Sequence, residues 1–171
     1  MNGRLEPTDN GFALRFERHL GHPVERVWRA ITEPEELRHW SPAVPDWELE
    51  PGSRFTAEGS GGGTGEITEV SAPHLLAYTW GDQRFRFELQ DEGGGCLLIF
   101  THEFEDRSLG AQTAAGWDVC FDRMDALLAG TPLAEKDSLQ RWPDLHERYA
   151  ESFDIDPEVG RRTYAEHMTP Q

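Results

Sequence analysis

The sequence predicts an α+β fold in which a curved antiparallel sheet wraps around one long helix near the C-terminus. Three observations carry this. Short segments of alternating polar and apolar residues follow one another between residues 46 and 104, separated by turn-forming Gly, Pro and Asp. Two short helical stretches stand between the first strand and that series. A helical period then returns at Ala111–Ala129, with large apolar residues along one side. Strands this close in sequence, joined by short turns, pair antiparallel. A curved sheet buries its concave face only when something covers it, and the last helix is the cover.

Each element has its own signal. Residues 1–11 are polar, with Pro, Gly and Asn, and are expected to form a loose lead-in. Phe12, Leu14 and Phe16 alternate with Ala13, Arg15 and Glu17, as in a half-buried strand. Val24, Val27, Trp28 and Ile31 fall at i, i+3, i+4 and i+7, which is one stripe of a helix. Pro23 suits its first turn. Thr32 followed three residues later by Glu35 reads as a capping box for a second short helix, with Pro34 in its first turn and Leu37 and Trp40 on its apolar side.

Residues 41–45 read as a loop. Six strands are expected after it: Asp46–Glu50, Arg54–Glu58, Glu66–Val70, Leu75–Trp80, Arg84–Gln90 and Cys96–Phe104. Gly59–Gly63 is a flexible turn. It is followed by neither Gly-Lys-Ser/Thr nor a helix, so it is no phosphate loop. On the long helix Ala114, Trp117, Phe121, Met124 and Leu128 share a side, while Asp118, Asp122, Arg123 and Asp125 lie mostly elsewhere. Gly130 and Pro132 stop it. The domain is therefore expected at 12–130 and an extension at 131–171. In the extension Leu145, Tyr149 and Phe153 mark a short amphipathic helix that docks on the domain, and the signal fades after Asp154.

Composition narrows the function. The chain has 171 residues, with 16 Lys and Arg against 32 Asp and Glu, a formal charge of −16. No basic block stands out, so nucleic acid is not an expected partner, and an acidic surface repels anionic membranes. There is no apolar signal core and no apolar run of about 18 residues, which points to a soluble, cytoplasmic protein. Cys96 and Cys120 fit neither a disulfide framework nor a zinc motif and read as free thiols in a reducing compartment.

Three blocks also carry a family likeness. They are Pro23–Trp28 with Ile31–Leu37 and Trp40; Gly65–Val70 with Pro73 and Leu75–Trp80; and Leu98–Arg107 with Ala115-Gly116-Trp117 and Leu127-Leu128. In this order they resemble the activator of Hsp90 ATPase homologue 1-like proteins of the START-like (SRPBCC) superfamily, over about residues 12–130. The resemblance implies the helix-grip (START-like or Bet v1-like) fold, with a hydrophobic ligand cavity between sheet and long helix. It also implies lipid-type ligands and a link to stress response.

The candidates to line such a cavity are Trp40, Trp47, Phe55, Tyr78, Trp80, Phe85, Phe87, Phe100, Trp117 and Phe121, with His102 as the polar member. For each aromatic side chain the alternative is simple core filling. His102 alternates with Leu98, Phe100 and Phe104, so it shares their inner face, where it could bond a ligand carbonyl or move a proton; otherwise it is satisfied by backbone or water.

Binding of a small hydrophobic or aromatic molecule is the leading expectation. An enzyme of the polyketide cyclase or hydrolase type is the alternative, with His102, Tyr78 and, less suitably placed, Arg86 or Glu88. A chaperone-interacting role is the third, although no additional N-terminal domain of the eukaryotic co-chaperone kind is expected here. His19 and His22 span a turn and lack further ligands, so neither metal nor cofactor is expected. A homodimer is left open. Whether the extension forms a lid is a further question, with Tyr149 and Phe153 its candidates.

Overall fold

A computed structural model describes residues 3–59 and 63–168. Eight strands form one antiparallel sheet: β1 Arg4–Thr8, β2 Gly11–Leu20, β3 Ala43–Pro45, β4 Arg54–Gly59, β5 Gly63–Ser71, β6 Leu75–Trp80, β7 Gln83–Asp91 and β8 Cys96–Phe104. Their order across the sheet is β1-β2-β8-β7-β6-β5-β4-β3. Helices α1 Val24–Thr32 and α2 Pro34–Leu37 link β2 to β3, and the long helix α3 Gly110–Leu128 lies against the concave face. This is the helix-grip architecture, with the two short helices following β2.

Alternation builds the inner face. Leu14 and Phe16 of β2, Phe87 and Leu89 of β7, and Leu98 and Phe100 of β8 are buried, while their neighbours Arg15, Glu17 and Arg86 remain partly exposed. Phe16, Phe100 and Phe121 meet at centroid distances of 5.3–6.2 Å. Trp40 stacks on Phe121 at 6.0 Å and donates Nε1–H to the Ala30 carbonyl at 2.8 Å, which ties α2 to α1 and to the core.

Several expectations need correcting. The lead-in contains β1, paired with β2 from Arg4↔Arg15 to Thr8↔Gly11. The expected strand at Asp46–Glu50 is irregular chain, and the strand lies instead at Ala43–Pro45, where a loop was expected. Trp47 is held there by its indole N–H, which donates to the Thr32 carbonyl at 2.9 Å. The capping box does not form. Glu33 occupies the N-cap position of α2 without a side-chain bond, and the Thr32 hydroxyl instead donates back to the Trp28 carbonyl at 2.7 Å. Residues 60–62 of the expected glycine turn lie outside the described residues.

The extension is more ordered than its sequence suggests. After a short turn of helix, α4 Glu135–Ser138, come α5 Trp142–Phe153 and α6 Glu158–Met168, the latter where the signal was expected to fade. Leu145, Tyr149 and Phe153 of α5 are buried, and α5 packs along α3. Tyr149 Oη–H donates to Asp118 Oδ2 at 2.5 Å and accepts the Gly3 N–H at 2.8 Å. Asp118, expected off the apolar side, is therefore buried between two helices. Trp142 stacks in parallel with both His146 and Tyr164, at 4.7 and 4.9 Å, which joins α5 to α6.

Candidate functional site

The inner face becomes concave toward the ends of β6, β7 and β8. Trp80 of β6 pairs with Gln83 of β7, and Phe85 of β7 pairs with His102 of β8. Across from them α3 presents Thr113, Gly116, Trp117 and Cys120. These four fall at i, i+3, i+4 and i+7 and so share one helix face. Between these groups is a cleft of about 530 Å³. Pro42, Thr64 and the Gly81-Asp82 turn complete its rim.

Of the eleven candidate residues, four line this cleft: Trp80, Phe85, His102 and Trp117. Trp40, Trp47, Phe55, Tyr78 and Phe87 surround, with Trp80 and Trp117, a deeper void of only about 20 Å³. That is room for one water-sized sphere, so this deeper aromatic layer packs against itself. Trp47 meets Phe55 and Tyr78 edge-on at 5.4 and 5.3 Å, and Tyr78 stacks on Phe85 at 5.1 Å. Phe100 and Phe121 border neither space and are core.

His102 is 4% exposed, and both its ring nitrogens are engaged. The Trp117 indole N–H donates to Nδ1 at 2.9 Å, and Nε2 lies 2.6 Å from Gln83 Oε1. An indole nitrogen is only a donor, so Nδ1 must accept and the proton must sit on Nε2. Nε2–H therefore donates to Gln83 Oε1. Burial pushes the His102 pKa down to about 3, which keeps the ring neutral. Its ring stacks on Phe85 at 4.2 Å.

The other titratable candidates are equally quiet. Burial pushes the Tyr78 phenol up, and it pushes the Cys120 thiol up to about 12, so both stay protonated at neutral pH. Arg86, with its pKa raised by its bond to Glu69 at 2.9 Å, and Glu88 lie on the outer face of the sheet, as alternation requires. Glu103 faces the same way, 3.7 Å from Arg84. Among the described residues no group of three or more His, Cys, Asp or Glu is placed to hold a metal ion. Among them, too, no helix is long and apolar enough to cross a membrane.

Sequence reasoning missed Gln83, Thr64, Thr113 and Gly116 as lining residues. Gln83 stands one step before the alternating run Arg84–Gln90 and shares the phase of Phe85, and that phase is the signal that could have found it. Gly116 was visible as a glycine inside a helical pattern.

The sheet, the gripped helix and the aromatic cleft between them define a helix-grip domain. The chain belongs to the activator of Hsp90 ATPase homolog 1-like protein family, whose model matches residues 21–129. Solved structures agree in fold. CalU16 from Micromonospora echinospora is similar, with a TM-score of 0.72, at 22% identity over 89% of this chain and 94% of that one. A conserved protein of unknown function, EF2215 from Enterococcus faecalis, has a TM-score of 0.76 at 18% identity, over 89% and 90% of the two chains. Protein MLL2253 from Mesorhizobium loti has a TM-score of 0.62 at 26% identity, over 71% of this chain and 99% of that one. A coverage of 89% exceeds what residues 1–129 could supply, so the first two likenesses reach into the extension. No curated protein matches the chain.

Proposed function

We propose that this protein binds a small hydrophobic or aromatic molecule in the cleft between the sheet and α3. The observation that carries the reading is the 530 Å³ space walled by Trp80, Phe85 and Trp117. It falls within the roughly 300–1,000 Å³ typical of small-molecule sites, with apolar walls and a few polar groups at one end. The two free thiols, Cys96 and Cys120, suit a reducing compartment such as the cytoplasm.

Recognition fits the polar groups better than catalysis does. A general base needs an available lone pair and a pKa near the working pH. His102 has neither, because Trp117 occupies Nδ1 and burial holds the ring neutral. Among the described residues the extension contributes none that line the cleft, so a lid role for Tyr149 and Phe153 has no support from their positions. Native mass spectrometry of the protein incubated with a panel of aromatic and aliphatic hydrophobic compounds tests the reading. One-to-one adducts with aromatic members are expected. Absence of any adduct, together with no mass retained from the producing cell, would remove it.

A further inference from the structure

Gly116 occupies the middle of α3, where glycine weakens a helix relative to alanine. No contact among the described residues requires it there. Beyond its chain neighbours and its own helix backbone, a Cβ built at Gly116 meets no atom of the described residues within 4 Å. Gly110 of the same helix differs, because a Cβ there would come within 3.1 Å of Leu5 and 3.2 Å of Ile155. The space that Gly116 leaves open belongs to the cleft, beside Trp117 and Cys120. The missing side chain makes room for something outside the chain.

Gln83 is a polar residue of the same cleft. The His102 Nε2–H takes its Oε1, and His102 is fixed in that tautomer by the Trp117 indole. The Gln83 amide cannot flip without setting two donors against each other. Its NH₂ group is thus the end left for a ligand in the cleft, and it offers donors only. Asp82 at the rim and the chain's charge of −16 disfavour an anion there.

We propose that the ligand is an uncharged, planar aromatic molecule bearing a hydrogen-bond acceptor such as a ketone. Its flat face lies against α3 at Gly116, and its acceptor oxygen takes a hydrogen bond from the Gln83 amide. Gln83 is the specificity-determining residue, and His102 and Trp117 are positioning residues that hold its donor end toward the cleft. This inference rests on the cleft-binding reading and adds the ligand's charge, shape and acceptor to it.

Equilibrium dialysis with three matched probes tests it: 2-acetylnaphthalene, 2-ethylnaphthalene and 2-naphthoate. The ketone is expected to bind about tenfold tighter than either of the others, because a site built to donate rejects an analogue that cannot accept. Gln83→Met should bring the ketone down to the ethyl compound while changing the ethyl compound's affinity by less than about twofold. Gln83→Glu, which keeps the shape and removes the donors, serves the same purpose should the Met variant fold poorly. Trp117→Phe, which frees the His102 tautomer, should lower the ketone-to-ethyl ratio as well. Equal binding of ketone and ethyl compound, or a ratio unmoved by both Gln83 variants, would overturn this inference and leave the cleft-binding reading standing. Binding of none of the three probes would overturn both.

Discussion

The Trp117 indole N–H ends on His102 Nδ1 at 2.9 Å, and this one contact decides the protonation of the site. A neutral histidine has one donor and one acceptor nitrogen, and a donor-only partner selects which is which. The Nε2–H tautomer is therefore expected in solution, readable in nitrogen-15 chemical shifts of the imidazole. Titration should give a midpoint near 3, against an ordinary value of 6.5.

The same depressed pKa has a stability consequence with a definite sign. Below pH 6.5 the unfolded chain binds a proton at His102 that the folded protein refuses until about pH 3. The contribution is fully present above pH 6.5 and is lost as pH falls toward 3, at up to about 1.4 kcal/mol per pH unit. A denaturation series across that window should show this acid limb, and His102→Gln, which does not titrate, should flatten it.

Arg18 takes a core-facing position on β2. Its guanidinium reaches Asp125 at 2.7 Å, Asp122 at 3.4 Å and Asp118 at 3.8 Å, and it lies over the Phe121 ring at 5.5 Å. Asp122 also pairs with Arg141, beyond the end of α3. Removing the central cation leaves several carboxylates together on α3. Arg18→Ala should destabilise the fold by about 2–4 kcal/mol, measured by urea denaturation.

The extension is predicted to support stability and not ligand binding. Leu145 is 4% exposed, on the α5 face that packs along α3, away from the cleft residues Thr113, Gly116 and Cys120. Leu145→Ala should cost about 2–4 kcal/mol by cavity formation, with ligand affinity unchanged once the fraction folded is allowed for.

Gly116 should show the opposite trade. Gly116→Ala restores a good helix former where no atom objects, and a rise of about 0.5–1 kcal/mol in stability is expected. Thermal or chemical unfolding measures it directly.

The parts of this fold that were legible in the sequence are those whose side chains alternate between core and water. Cys96–Phe104 is recovered to the residue, and Arg84–Gln90 to within one at each end, because both pack one face on α3. The strand Arg4–Thr8 gave no such signal, since it is an edge strand whose residues are mostly exposed and held by backbone pairing. The helix Glu158–Met168 was hidden for a related reason. It is largely polar and docks through a few contacts, among them Tyr164 on Trp142 and a close approach of Gly160 to the His146 ring, which leaves no room for a Cβ.

The site was only partly legible. Periodicity placed Phe85, His102 and Trp117 on inner faces, yet it could not separate residues that border open space from residues that fill the core. Trp40 and Trp80 look alike in sequence, but Trp40 is sealed at 1% exposure between Phe121 and Phe87, while Trp80 borders the cleft. That difference depends on how far the sheet curves away from α3, which no local pattern records. The polar lining was missed because Thr64, Gln83 and Thr113 come from two strands and a helix far apart in sequence, and their convergence is a tertiary fact.

The most direct measurement is the affinity of Gly116→Leu for 2-acetylnaphthalene, compared with the unaltered protein by equilibrium dialysis. A Cβ at Gly116 meets no atom of the described residues outside its own helix and faces the cleft, so the fold should persist. If the cleft is the binding site, affinity falls at least about tenfold while the melting temperature holds or rises. An unchanged affinity in a folded Gly116→Leu variant would contradict the account, because the ligand would then lie elsewhere.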